Sequence, residues 1–432
     1  MDLETQPLPN LSRVLISKFD QQIGDKTLIS KGREDFVTKP SAKSLCHLFF
    51  MRYPEIFEKI PSPCFVLEET LLERNLEIFA RVQREAPVKV MLALKGFALF
   101  PSFPWINPVL AGASASSLWE AQLAKEEFGK EVHVYSPTYR EEEFAEVLSL
   151  ADHLVFNSLS QWEKFQSWVQ QAHHPVAIGL RINPQYSPVK TALYNPCVPG
   201  SRLGVNPEQL QGKLPQGITG FLSHNLCESD ADALEKTLES IVQYFGEFLP
   251  QIQWLNLGGG HLMTRQDYDV TKAIRVLNQF HQRYPHLSLI LEPGSAIAWE
   301  TGFLLSTIRD LIPTPELTHA MLDVSFTAHM PDCLEMPYRP TVRYAHDPQP
   351  GETVYRLGGS SCLAGDFMGD YGFDQPLQMG DRLIFEDMMH YTLVKTTMFN
   401  GVPHPSIGLL TKTGDFKLWR TFGYTDYRDR LG

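Results

Sequence analysis

No stretch of this 432-residue sequence reaches the roughly 18 consecutive apolar residues that a membrane helix needs, so no span is expected. The first residues, MDLETQPLPNLSRVLIS, lack a basic start followed by an apolar run, which argues against a secretory signal and for the cytoplasm. Basic side chains are in deficit. Lysine and arginine number 38 against 50 aspartates and glutamates, a net charge of −12. That excludes a general nucleic-acid binder, because phosphate contacts need a basic surface, and it suits a cationic ligand. The six cysteines (Cys46, Cys64, Cys197, Cys227, Cys333, Cys362) include no CxxC pair, and the 14 histidines no HExxH. In a chain this long they read as reduced thiols, not a disulfide framework, and no metal site is expected. What is present is a soluble composition, 43% apolar and 20% charged, which excludes a disordered or fibrous chain and leaves room for two or three domains.

Residues 1–50 are polar and irregular (QPLPN, KGREDFVTKPSAKS) and read as an extension without chemistry. Eight short runs rich in Val, Ile and Leu then recur: VKVMLAL (88–94), VLAGAS (109–114), VHVYS (132–136), HLVFN (153–157), VAIGLRI (176–182), ITGFLS (218–223), QWLNL (253–257) and LSLILE (287–292). They are apolar throughout rather than alternating, which predicts strands buried on both faces. Helical patterns lie between them. Ser117 and Glu120 have the spacing of a capping box, Gly129 closes that helix, and Leu234, Leu238, Ile241, Val242, Phe245 and Phe248 share one face of another. Strands alternating with helices over residues 61–302 predict a (β/α)8 TIM barrel. A doubly wound α/β sheet is the rival, but no GxGxxG follows the first strand. Residues 303–432 instead hold strand-like segments (FLLSTIRD, HAMLDVS, TVRY, TVYRLGG, RLIFED, YTLVKTTMF, DFKLWR) between Gly, Pro and Asp turns, which predicts a C-terminal all-β domain of sandwich or barrel type. Residues 61–68, PSPCFVLE, can add a strand to it.

Active sites in such barrels form at the C-terminal ends of the strands. Those ends carry Lys95, Ser136, Asn157, Arg181, His224, Gly258-Gly259-Gly260 and Glu292. Burial disfavours an ammonium ion, so Lys95 in MLALKGFALF reads as a neutral nucleophile able to form a Schiff base, or else as a lysine snorkelling at the rim. Three glycines after LNL let backbone N–H groups approach a phosphate closely, or simply make a tight turn. Glu292 can hold a pyridine nitrogen protonated or pair with a basic neighbour; His224 can stack on a planar ring or serve the structure. Cys362 and Asp366 share the loop RLGGSSCLAGD, where a thiol can donate a proton and an aspartate can hold an amine. A buried cysteine beside a turn aspartate is the plainer reading. Asp332 and Glu335 fall in AHMPDCLEMPYRP, expected as an extended Pro-rich loop with solvated charges.

Taken together, VMLALKGFA, IGLRINP, GFLSHNLCES, LNLGGGH, LEPG, LDVSFTAHMPDCLEMPYRP, GSSCLAGD and FEDMMHYTLVKTTMFNG resemble the alanine-racemase-like (fold type III) PLP-dependent decarboxylases. Within them they are most similar to the carboxynorspermidine/carboxyspermidine decarboxylase branch, over about residues 60–432. The resemblance implies pyridoxal 5′-phosphate (PLP) as cofactor, a barrel plus β domain, and a homodimer with shared active sites. By position, Lys95 resembles the lysine that binds the cofactor and His224 the residue stacked on its ring. Gly258, Gly259, Gly260 and Tyr391 resemble its phosphate ligands, and Glu292 the partner of the pyridine nitrogen. Cys362 resembles a proton donor supplied by the other subunit. Asp332 and Asp366 resemble substrate contacts, and with Glu335 they suit a substrate bearing several ammonium groups. Ser295 departs from the arginine that usually follows EPG in ornithine and diaminopimelate decarboxylases. The implied reaction is decarboxylation of the carboxylated polyamines carboxynorspermidine or carboxyspermidine, in polyamine biosynthesis. Three alternatives stand beside it: a diaminopimelate- or ornithine-type decarboxylase, a racemase (which would want a second base such as tyrosine in place of Cys362), and an inactive regulatory homologue.

Overall fold

Each of the eight apolar runs forms a barrel strand. The computed structural model describes residues 54–432; the extension expected over residues 1–50 lies outside the described residues. After a first strand, β1 (Cys64–Glu68), come β2 (Val88–Ala93), β3 (Gly112–Ala115), β4 (Glu131–Tyr135), β5 (His153–Phe156), β6 (Ala177–Arg181), β7 (Gly220–Leu222), β8 (Trp254–Asn256) and β9 (Ser288–Leu291). Strands β2 to β9 pair in parallel, each with the next, and β9 closes on β2. The runs are apolar on both faces because both faces are covered. Met91, Val155, Leu222, Trp254 and Ile290 pack inside the barrel, while Val90, Leu92, Leu154 and Leu289 join the larger core under the helices. The Trp254 indole fills much of the interior. A Cβ on Gly220 or Gly179 of the neighbouring strands would lie 2.0 and 2.3 Å from its ring, so those two positions must stay bare.

The helices between the strands follow their sequence signals. Ser117 Oγ accepts the Glu120 N–H at 3.3 Å, and Glu120 reaches back to the N–H of Ser116, one residue earlier than a standard capping box. Gly129 ends that element in the left-handed conformation. The helix Ala231–Phe245 buries Leu234, Leu238, Ile241 and Phe245. None of the described helices is long and apolar enough to cross a membrane.

Beyond the barrel lie β10 (Gly302–Pro313), β11 (Thr318–Leu322), β12 (Ala345–His346), β13 (Tyr355–Gly358), β14 (Phe367–Phe373), β15 (Arg382–Glu386), β16 (Ser406–Leu410) and β17 (Phe416–Arg420). They form a mixed sheet in the order β12-β14-β13-β11-β10-β1-β16-β17, with β15 also paired to β10. Strand β1 lies antiparallel to β10 and parallel to β16, so the segment ahead of the barrel is a strand of this second sheet.

Three segments differ from expectation. YTLVKTTMF is β-branched but turns: Leu393 and Lys395 donate to His390 and Tyr391, and Thr397 donates to Ala328. With no strand alongside, its β propensity has nothing to pair with. TVRY makes only an isolated bridge, Val342 with Phe385. The loop expected over AHMPDCLEMPYRP holds two short helices, Phe326–His329 and Pro331–Glu335. Ser325 Oγ caps the first through the Ala328 N–H, and Pro331 sits at the first position of the second, where a missing N–H costs nothing. Strands β14 (FMGDYGF) and β16 (SIGLL) carry glycines that masked them as turns.

Candidate active site

Two cavities at the C-terminal ends of the barrel strands share Lys95, Arg181, His224, Gly259 and Glu292 as walls. One, of about 250 Å³, reaches into the barrel between His133, His153, Trp254 and Asn256. The other, of about 270 Å³, opens past Gly260, Ser295, Glu228 and Tyr391. Of the strand-end residues picked out above, Ser136, Asn157 and Gly258 do not line these cavities, and the Gly258 N–H is held by Asn256 Oδ1 at 2.8 Å. Ser136 Oγ donates to Thr138 O within its own turn. Asn157 Oδ1 accepts from the Tyr135 hydroxyl at 2.8 Å and from the Gly204 N–H at 2.9 Å.

Lys95 sits two residues past β2, where its Nζ lies 3.1 Å from His224 Nε2. The other imidazole nitrogen, Nδ1, accepts the Gly259 N–H at 2.8 Å. A neutral ring bonded in this way carries its proton on Nε2, so Nε2 donates and Lys95 accepts. Accepting requires an unprotonated amine. The electrostatics agree. Burial, then the Arg181 guanidinium, pushes the Lys95 ammonium down against the opposing pull of Glu292. Burial, then Lys95 and Arg181, holds His224 well below the usual histidine range. Lys95 is solvent-accessible where it lines both cavities, and what argues against simple snorkelling is its contact with His224. Arg181 fixes the arrangement by donating to His224 O and to the Tyr135 hydroxyl, each at 2.9 Å.

Glu292 follows β9. Its N–H donates to Gly258 O at 2.7 Å, and its Oε1 accepts from Asn256 Nδ2 at 2.7 Å. Among the described residues its Oε2 accepts no hydrogen bond, and the side chain lines both cavities. The glycine run is required by space as well as by backbone conformation. A Cβ on Gly259 would lie 2.5 Å from Glu292 O, and one on Gly260 would lie 2.2 Å from Leu226 O. Tyr391 lines the outer cavity, where burial raises its phenol and keeps it protonated.

The other expected site residues lie elsewhere in the single chain. Cys362 is exposed on the loop after β13, with its N–H on Asn400 Oδ1. Asp366 is buried, and its carboxylate accepts the N–H groups of Thr327 at 3.1 Å and Ser361 at 3.0 Å, which makes it a brace of that same loop. Asp332 and Glu335 both bind Lys395 Nζ at 2.6 Å. Asp332 lines a separate cavity of about 400 Å³ with Glu228, Trp299, Tyr338 and His390. The sequence reading missed Lys395, Asn256 and His133. The last two are polar residues inside apolar barrel runs, a signal that was there to be read. Glu131, His133 and His153 place possible metal-binding atoms within 4.8 Å of one another. The two imidazoles stack face to face, with centroids 4.0 Å apart, so their in-plane lone pairs run side by side and do not converge on an ion.

A family model described as pyridoxal-dependent decarboxylase, C-terminal sheet domain, matches residues 64–389. The chain is 72% identical over 373 residues to a carboxyaminopropylagmatine decarboxylase of Synechocystis sp., spanning 86% of this chain and 96% of that protein. It is 42% identical over 382 residues to a carboxynorspermidine/carboxyspermidine decarboxylase of Campylobacter jejuni, covering 86% and 98%. Its fold is similar to the crystal structure of carboxynorspermidine decarboxylase from C. jejuni complexed with norspermidine, with a TM-score of 0.80 and 40% identity over 86% of this chain and 100% of that one.

Proposed function

We propose that this chain, which belongs to the pyridoxal-dependent decarboxylase family, removes CO2 from a carboxylated polyamine in polyamine biosynthesis. The first candidate substrate is carboxyaminopropylagmatine, with carboxynorspermidine and carboxyspermidine as the others. The observation that carries this reading is the step in identity. The chain is 72% identical to the relative named for the agmatine compound and 42% identical to one named for the other two.

The residues around the cavities fit PLP. Lys95 presents an unprotonated amine to an aldehyde carbon, and the imidazole of His224 stands beside it. Glu292 keeps one carboxylate oxygen free for a ring nitrogen, while the Gly260 N–H and the Tyr391 hydroxyl are the donors open to a phosphate, those of Gly258 and Gly259 being held by Asn256 Oδ1 and His224 Nδ1. Bound there, the cofactor supplies an electron-accepting ring that takes up the pair left when the carboxyl group departs as CO2. The chain's own residues do the rest. Arg181 and Gly259 fix His224 in the tautomer that keeps Lys95 neutral. Asn256 holds the Glu292 carboxylate in place. A thiol then returns a proton to the α-carbon, and the thiolate regains one from solvent. We assign that role to Cys362, whose exposed position in one chain suits service to the cavity of a second copy in a homodimer. Lys395 pairs with both Asp332 and Glu335 but offsets only one of their two charges, so the cluster keeps a net negative charge for a polycationic substrate.

The deciding experiment is turnover of the three carboxylated polyamines, diaminopimelate and ornithine, measured side by side by CO2 release. The expected order puts carboxyaminopropylagmatine first. Preference for diaminopimelate or ornithine overturns the polyamine assignment.

A further inference from the structure

Below the proposed cofactor site, the barrel interior holds ionisable groups that the chemistry above leaves unused. His133 faces inward from β4 and is buried. Its Nδ1 lies 3.8 Å from Glu292 Oε1, and its Nε2 lies 3.4 Å from Glu131 Oε2. Neither nitrogen has a backbone or side-chain hydrogen-bond partner of full geometry, an unusual state for a buried imidazole. Glu131 in turn pairs with Lys89 at the strands' outer end. His153 stacks on the ring, and Trp254 packs edge-on against His153.

We propose that His133 is a positioning residue for Glu292. It forms with Glu131 a carboxylate–imidazole–carboxylate chain that holds Glu292 by its Oε1 edge, leaving Oε2 for the cofactor ring. The proposal rests on the reading of Glu292 as the carboxylate that meets that ring. Its physical basis is the line of alternating charges. An uncompensated imidazolium in a barrel core is costly, but two carboxylates flank this one. Burial alone would push the ring down, yet Glu131 and Glu292 override it, and His133 is raised above the ordinary histidine value. The adjacent His133 ring, with help from Lys89, holds Glu131 down to about 2. His153 is pushed down to about 3 by burial and then by His133. Asn256 Nδ2 and His133 Nδ1 both address Glu292 Oε1 and neither addresses Oε2. That asymmetry is what a carboxylate needs if one oxygen is to be held and the other used.

The test reads the Glu292 side chain in crystal structures of the cofactor-free protein. His133→Gln is expected to release Oε1 from its place beside Asn256 Nδ2, seen as a changed Glu292 rotamer or loss of that hydrogen bond, and Glu131→Gln to do so less. Glu131 is about one-third exposed, so this second variant decides the matter if His133→Gln does not fold. An unchanged Glu292 rotamer and hydrogen bond in the variants that fold overturns the proposal. In the loaded enzyme, His133→Gln should lower kcat about tenfold with KM within about twofold, and should add nothing in a Glu292→Gln background. Full turnover by Glu292→Gln would instead overturn the assigned role of Glu292, and the apoprotein structures would still decide whether His133 positions it.

Discussion

Replacing Gly260 with alanine separates two costs that glycines usually mix. At φ +87° the backbone is in the left-handed region, where a β-carbon costs about 1–2 kcal/mol. In addition, that Cβ would lie 2.2 Å from Leu226 O, 2.3 Å from Leu226 C and 2.8 Å from Cys227 N, all backbone atoms that no rotamer change can move. Relieving the overlap requires shifting the chain after β7, an overpacking cost of about 1–3 kcal/mol. The sum is about 2–5 kcal/mol, or roughly 2–6 °C in Tm for a chain of this size. Gly129→Ala is the control. It has φ +71° with no heavy atom within 4 Å of the added carbon, so only the backbone cost applies, about 1–2 °C. Thermal unfolding of the two apoproteins gives the comparison. Because Leu226, Cys227 and Gly260 line the outer cavity, Gly260→Ala should also weaken cofactor binding measured by absorbance titration, and Gly129→Ala should not. Equal losses of stability in the two variants would refute the close-approach argument.

The barrel was legible because its strands are covered on both faces, which writes burial directly into composition. VKVMLAL and LSLILE show it at every position but the exposed Lys89 and Ser288 and the closing Glu292. The second sheet was harder to read, since β14 mixes Gly369, Gly372 and Asp370 into a strand that its partners impose, and residues 391–399 lose their strand character to contacts with residues 328 and 390. At the site, the rule that strand ends carry chemistry picked out Lys95, His224 and Glu292, because a polar residue closing an apolar run is visible locally. Pairing is not local. Lys395 meets carboxylates 60 and 63 residues away, and nothing in either segment announces the other. His133 was passed over for the opposite reason: it stands within a run whose neighbours Val132 and Val134 are apolar, and alternation inside a barrel strand sends it to the other face.

Three further outcomes are expected. Lys95→Ala should lose turnover by at least about 10³-fold, and borohydride should attach the cofactor to Lys95 in the unmodified protein and to no other lysine on peptide mapping. Mixing Lys95→Ala with Cys362→Ala should restore activity after subunit exchange, because each heterodimer then holds one intact site; no recovery would return Cys362 to its own subunit or remove it from catalysis. The last concerns acid stability. Burial pushes His261 and His329 down to about 4, and both are almost fully inaccessible to solvent. A histidine whose folded pKa lies below its unfolded value of about 6.5 contributes its full stability above that value. It loses that stability as pH falls from about 6.5 towards 4, where the unfolded chain takes up the proton and the folded chain does not. Each residue accounts for about 3 kcal/mol across the window. His153 and His224, also lowered, act in the same direction. Raised groups such as His133 and His390 gain their protons above pH 6.5 and contribute no slope below it. The Glu131 carboxylate, held down to about 2, matters only below about pH 4.3. In urea unfolding at pH 7, 6 and 5 the raised groups oppose the loss mainly between pH 7 and about 6.5, so the step from pH 6 to 5 reads mainly the neutral imidazoles. Stability should fall steeply over that range, and His261→Gln should flatten the slope whatever it does to the value at pH 7. A level profile would mean that these rings take up protons in the folded barrel.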